Sequence, residues 1–181
     1  MTVGDSVVTE RLELVPWTDG ELGFLERLST DPAVVRYVSD GRTWTPVKAA
    51  AVCAAMAEHW RTHGFGWRVA RRREDGRALG FIALNFSDAG TPGVAAGEYE
   101  IGWWLAREAW GHGYASEGAR AVRAEALQRL GAPSLIARIQ PGNRASRAVA
   151  EGLGMTVERE TVGSAGEPVV VYRLTAGSVQ I

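Results

Sequence analysis

The stretch from residue 98 to residue 130 constrains this chain more than any other. An apolar run, Glu100-Ile101-Gly102-Trp103-Trp104-Leu105, leads through 106–109 into Trp110-Gly111-His112-Gly113-Tyr114-Ala115. After that turn Ala115, Ala119, Val122, Ala126 and Leu130 recur at spacings of four and three, which predicts a helix over 114–130 stopped by Gly131 and Pro133. A strand therefore enters a glycine-bearing turn that opens a long helix. The first N–H groups of a helix have no intrahelical acceptor, and the helix dipole adds partial positive charge there. Gly111 and Gly113 carry no Cβ, so a phosphate can come close to the main chain. The small Ala115 keeps the first turn open. The pattern suits an anion site made of amides. On spacing alone it also suits a plain tight turn.

The rest of the chain reads as alternating elements. Leu12 and Leu14 alternate with Arg11, Glu13 and Val15, a strand ended by Pro16. Thr18 or Asp19 caps a helix to about Leu28, Asp31-Pro32 breaks it, and a short helical stretch is predicted over 34–38. Thr45-Pro46 opens a helix to His63, with Gly64 as its stop. Strands are predicted over 66–71 and 78–86, joined by an Asp75-Gly76 turn, and over 98–105, 135–140, 155–161 and 169–174. Residues 87–97 form a loop, Asn143 caps a helix to about Leu153, residues 1–9 are a lead-in, and the last six or so form a tail. The order implies one α/β (α+β) domain over 1–181, with its core at about 9–175, around a partly parallel sheet.

Composition narrows the function. The 181 residues are 46% hydrophobic and 23% charged with a net charge of −1, which suits one globular core and makes nucleic acid a poor partner. Arg71-Arg72-Arg73 reads as a strand end entering a solvated turn. The single Cys53 excludes an internal disulfide and reads as a small buried hydrophobe. No signal segment or membrane-length apolar run is seen, so a soluble cytoplasmic protein is expected. His59 and His63 lie four apart but lack a third ligand, so no metal is expected and a solvated helix face is the reading. Gly111-x-Gly113-x-x-Ser116 falls one residue short of a dinucleotide fingerprint and lies mid-chain, away from the first strand of such a fold.

The segment 98–119 resembles the acyl-CoA-binding motif of the GNAT N-acetyltransferases, Q/R-x-x-G-x-G/A, with Gly113 and Ala115 in place and Trp110 where Gln or Arg is usual. Together with Thr9-Glu10-Arg11-Leu12, Glu100–Leu105, Asn143-Arg144-Ala145-Ser146 and Gly152-Leu153-Gly154-Met155, it is similar to the RimJ/RimL-like (ribosomal-protein N-terminal acetyltransferase-like) subgroup over nearly the whole chain. The resemblance implies a GNAT fold, with a twisted mixed sheet flanked by helices. It implies acetyl transfer from acetyl-CoA to a primary amine, either a protein N-terminal α-amine or a small-molecule amine, in a ternary complex. It also implies that the main chain of Trp103 and Leu105 pairs with the pantetheine arm and that the amides of Trp110, Gly111, His112, Gly113, Tyr114 and Ala115 hold the pyrophosphate. Asn143 is expected on the cofactor or as a helix cap, and a homodimer is plausible by the same resemblance.

Proton handling departs from the common pattern. Many family members place a Tyr seven residues after the motif Asn, where this chain has Ala150. A Ser three residues after that Asn, here Ser146, is the proposed donor to the sulfur, or else it supports the helix start. Glu100 is the proposed base, directly or through a water, or else a carboxylate that orients substrate or pairs with an Arg. Glu98 is expected to share its face toward the substrate. Some family members take a base from the next strand, five residues before the Asn; Arg138 stands there, so that route is not expected, and Glu160 or Glu167 stays open as an alternative. Tyr37, Trp44, Phe65 and Trp67 are candidates for the acceptor wall. The alternative reading is a non-catalytic acyl-CoA-binding or sensing module on the same fold.

Overall fold

The computed structural model describes residues 6–88 and 90–178; the start of the expected lead-in and the end of the tail lie outside them. Eight strands form one sheet: β1 (Val7–Val8), β2 (Leu12–Pro16), β3 (Arg68–Arg72), β4 (Ala78–Phe86), β5 (Tyr99–Leu105), β6 (Ser134–Ile139), β7 (Thr156–Val162) and β8 (Pro168–Thr175). Their spatial order is β1-β2-β3-β4-β5-β6-β8-β7. Every pairing is antiparallel except β5 with β6, which is parallel and holds at a single position, Glu100 opposite Ile136. Beyond that position β5 and β6 part, and residues 102–105 of β5 pair only with β4.

Helices cover both faces. α1 (Leu22–Ser29), α2 (Pro32–Val35) and α3 (Pro46–His63) lie on one side, where Leu25, Leu28, Cys53, Ala57 and Trp60 pack on Val69, Phe81 and Ala83. On the other side lie α4 (Tyr114–Ala124) and α5 (Arg144–Gly152), with Ala119, Val122 and Ala150 against Leu12, Leu14, Ile82, Leu84 and Ile101. Residues two apart in a strand share a face, so neighbouring residues serve opposite cores: Phe81 one, Ile82 the other.

The local signals act as their chemistry predicts. Thr45 Oγ1 accepts from the Lys48 N–H at 3.2 Å and Gly64 ends α3 at φ 70°, a left-handed stop that glycine adopts without strain. Cys53 is buried. Two expectations shift. The short helix after the break begins at Pro32, not residue 34, because Asp31 Oδ1 accepts from Ala33 N–H and Pro needs no partner at a first helical position. The long helix is not uniform either. After Ala124 it widens into one π-turn, Glu125–Arg129, where Leu130 N–H reaches back five residues to Glu125 O. The regular apolar spacing gave no sign of it. The wide turn coincides with a buried ion pair: Arg68 Nε and Nη2 donate to Glu125 Oε2 and Oε1 at 3.0 and 2.7 Å. Among the described residues no helix is long and apolar enough to cross a membrane.

Candidate active site

Where β5 and β6 part, the sheet opens into a cavity of about 990 Å³. Its walls bring together Trp103 and Leu105 of β5, residues Trp110, Gly111, Gly113, Tyr114 and Ala115 of the turn, and Asn143 and Ser146 at the start of α5. Tyr37, Trp44, Trp67 and Glu100 complete the set from the opposite side.

The turn is held open by its backbone. Gly111 and Gly113 have φ of 76° and 80°, a region where a side chain would be strained. The first helical bond of α4 runs from Glu117 N–H to Gly113 O. Among the described residues, the N–H groups of 111–116 find no acceptor. They form a free row of donors at the positive end of a helix. Trp110 anchors the start of this row, donating its indole N–H to Leu105 O at 2.8 Å. Arg11 anchors the middle. Its Nη1 donates to His112 O at 2.9 Å, its guanidinium pairs with Glu117 at 2.7 Å, and it lies 4.8 Å from the centre of the Tyr114 ring. Glu117 in turn accepts from Thr9 Oγ1 and from Arg11 N–H. Thr9 and Arg11 thus clamp the turn from the far side, a role that their place in the chain conceals. The His112 side chain does not line the cavity.

Ser146 Oγ accepts the indole N–H of Trp103 at 3.2 Å. Indole nitrogen only donates, so the serine keeps its own hydrogen for another acceptor. Ser146 N–H goes to Asn143 Oδ1 at 3.2 Å, so Asn143 caps α5. Ala150 is fully buried in the core.

Glu100 faces the α1–α3 side and is tied to Arg138 by two bonds of 2.8 Å, from Nε to Oε1 and from Nη2 to Oε2. Arg138 also donates to Thr91 Oγ1 at 2.7 Å and to Asp88 at 3.3 Å. Burial disfavours the Arg138 charge, but the bonds and charge of Glu100 outweigh it and raise the guanidinium pKa further. The residue standing in the place of a base thus holds the candidate base in a two-bonded ion pair.

Three expected positions differ. Glu98 lies outside the cavity: it accepts from Ala95 N–H at 2.9 Å and pairs with Arg173 at 2.6 Å. Burial would raise its carboxyl, yet Arg173 and the Ala95 amide hold it below its usual value. It shares the face of Glu100, since Arg173 stands opposite Ile136 on the same side as Arg138, but it lies two residues back from Glu100, away from the end where the strands part. Phe65 is buried among His59, Phe86 and Tyr99, at ring distances of 5.0, 5.1 and 5.4 Å, and does not wall the cavity. His59 is not on a solvated face but in that aromatic cluster, where burial, with the charge of His63 adding, pushes its pKa down to about 4. Among the described residues no group of three or more His, Cys, Asp or Glu could hold a metal.

The chain is similar in sequence and in fold to known proteins. A protein from Bacillus subtilis (strain 168), the uncharacterized protein YkkB, is 41% identical over 173 residues, covering 95% of this chain and 96% of its own. The FsC-acetyl coenzyme A-N(2)-transacetylase of Aspergillus fumigatus is 32% identical over 154 residues; the match covers 82% of this chain but only 63% of that enzyme's length. An acetyltransferase from Agrobacterium tumefaciens superposes with a TM-score of 0.80 at 29% identity over 96% of each chain. RimL, a ribosomal L7/L12 alpha-N-protein acetyltransferase solved with coenzyme A, superposes with a TM-score of 0.74 over 94% of this chain and 98% of its own; at 15% identity that is a likeness of fold. The parted strands, the free amide row and the helix behind it all fall within residues 11–156, which match the model of the acetyltransferase (GNAT) domain, and this chain belongs to that family.

Proposed function

We propose that this protein transfers an acetyl group from acetyl-CoA to a primary amine by direct attack in a ternary complex. The observation that carries the reading is the free row of N–H groups at 111–116, opening into the same cavity as the unpaired edge of β5. An extended pantetheine arm fits beside β5 as a further strand would, with Trp103 supplying main-chain contacts. The amides fit a diphosphate. The complex of RimL with coenzyme A supports the choice of donor.

In this reading the enzyme works mainly by position, since a thioester is already activated. Ser146 turns its free hydroxyl hydrogen toward the sulfur and stabilises the departing thiolate, with Trp103 fixing the oxygen. Glu100 stays paired with Arg138. Its remaining lone pairs orient the amine, and a water carries the amine proton away. Replacing Gly113 with Asp tests the donor site. A side chain there is strained at φ 80° and would head toward the Arg11 guanidinium that clamps the turn, so the amide row is distorted and acetyl-CoA binding measured by calorimetry should be lost. Unchanged affinity would remove the phosphate site. Release of free thiol on adding amines separates an enzyme from a module that only binds acyl-CoA.

A further inference from the structure

Glu100, Gly102 and Trp104 alternate onto one face of β5, and the aromatic surface beside them has no part in the transfer described above. Trp104 lies 5.3 Å from Phe81, which stacks on Trp67 at 4.2 Å. Trp44 closes over Trp104 edge-on at 5.2 Å. Trp17 and Trp60 in the same layer are buried, at 2% and 8% exposure, and serve the core. Trp44, Trp67 and Trp104 are only partly buried, and all three line the cavity. Rings that are packed on one side and face a void on the other leave apolar surface against water, and a ligand of like chemistry would cover it.

The charges of the cavity narrow the ligand further. Its charged lining residues are Arg36, Arg138 and Arg144 against Asp88 and Glu100. Both carboxylates are already paired with Arg138. A molecule with several ammonium groups would therefore meet a lining with more cations than anions. Gly102 leaves a notch between Glu100 and Trp104, about 7 Å along the strand from each. A Cβ built on Gly102 would meet only the Ala83 methyl, at 3.7 Å, an ordinary contact.

Resting on the transfer reading, we propose that the acceptor is a small primary monoamine on a flat apolar body, an arylalkylamine in chemical class. Its ring lies against Trp104 and Trp67, and its nitrogen sits at the Gly102 notch beside Glu100. The nitrogen bonds the acetyl carbon, the carbon–sulfur bond breaks with its electron pair going to sulfur, and the proton that the amine loses balances the one that the thiolate gains.

The test uses the full chain and thiol release with four amines: phenethylamine, tryptamine, spermidine and a peptide with a polar N-terminus. The two aryl amines should lead in kcat/KM by roughly tenfold, the scale of losing one aromatic contact. Gly102→Val should raise the KM for phenethylamine by about the same factor and leave acetyl-CoA affinity, measured by calorimetry, unchanged. Gly102→Ala, whose methyl fits, should fold as the parent does and show a smaller rise. A preference for spermidine or for the peptide, with acetyl-CoA still bound, would overturn the acceptor assignment alone. Failure to bind acetyl-CoA would overturn the transfer reading, and binding with no turnover of any amine would overturn both.

Discussion

Replacing Arg138 with Met should loosen the protein at the place where its sheet is least connected. Met keeps an apolar stem of similar length and removes the guanidinium. The two 2.8 Å bonds to Glu100 are lost, along with the 2.7 Å bond to Thr91. Glu100, whose side chain is 15% exposed, is left as a charge without a partner. Removing one member of a buried pair costs about 3–5 kcal/mol. Arg138 is 23% exposed and Asp88 is 69% exposed, so water already screens part of the network and the lower end applies, about 3 kcal/mol. For a chain of this size that lowers Tm by about 6–12 °C. Adding Glu100→Gln to the variant removes the stranded charge and should return about 1–2 kcal/mol. The assay is urea unfolding of the parent, both single variants and the double variant, read as a double-mutant cycle. A loss below about 1 kcal/mol for Arg138→Met, or a double variant as unstable as that single one, would refute the argument that this pair holds β5 to β6.

Arg11→Met should weaken acetyl-CoA binding by about tenfold in a calorimetric titration while Arg11→Lys recovers part of it, because only the guanidinium spans His112 O and Glu117; unchanged affinity would leave the clamp without a function. Ser146→Ala should slow turnover by roughly 10- to 100-fold with little change in acetyl-CoA affinity, and an unaffected rate in a stopped thiol-release assay would reduce Ser146 to a support of α5. His59 is held neutral in the fold, its pKa at about 4 against an ordinary 6.5, so the unfolded chain binds the extra proton between those values. Stability should be complete above about pH 6.5 and fall as pH drops toward 4, and His59→Phe should flatten that slope in urea midpoints measured at pH 7 and 5; an unaltered slope would place the acid sensitivity elsewhere.

The features legible in the chain were those set by neighbours in sequence. Thr45, Pro46 and Gly64 mark the ends of α3 because caps and stops act over a few residues, and α3 spans Pro46–His63. The Gly111–Gly113 turn was legible for the same reason, since its left-handed backbone is a local property. What escaped the reading was set across the fold. Arg138 was visible only as the absence of a base, because its bond to Glu100 joins residues 38 apart. Arg11 reaches Glu117 over 106 positions, and Arg68 reaches Glu125 over 57. Glu98 keeps the face of Glu100, but its carboxylate is taken by Arg173 of β8, 75 positions on, which lies beside it only in the fold.

The lone rung between β5 and β6 bears on the shape of the cavity. A ladder of several rungs would fix the angle between the two halves of the sheet through the backbone. With one rung, that angle is governed by side chains: Glu100 on Arg138, and the Gln140 amide donating to Ser39 O at 2.7 Å. The breadth of the cleft is thus a trait that single substitutions can retune, leaving the strands that carry it intact.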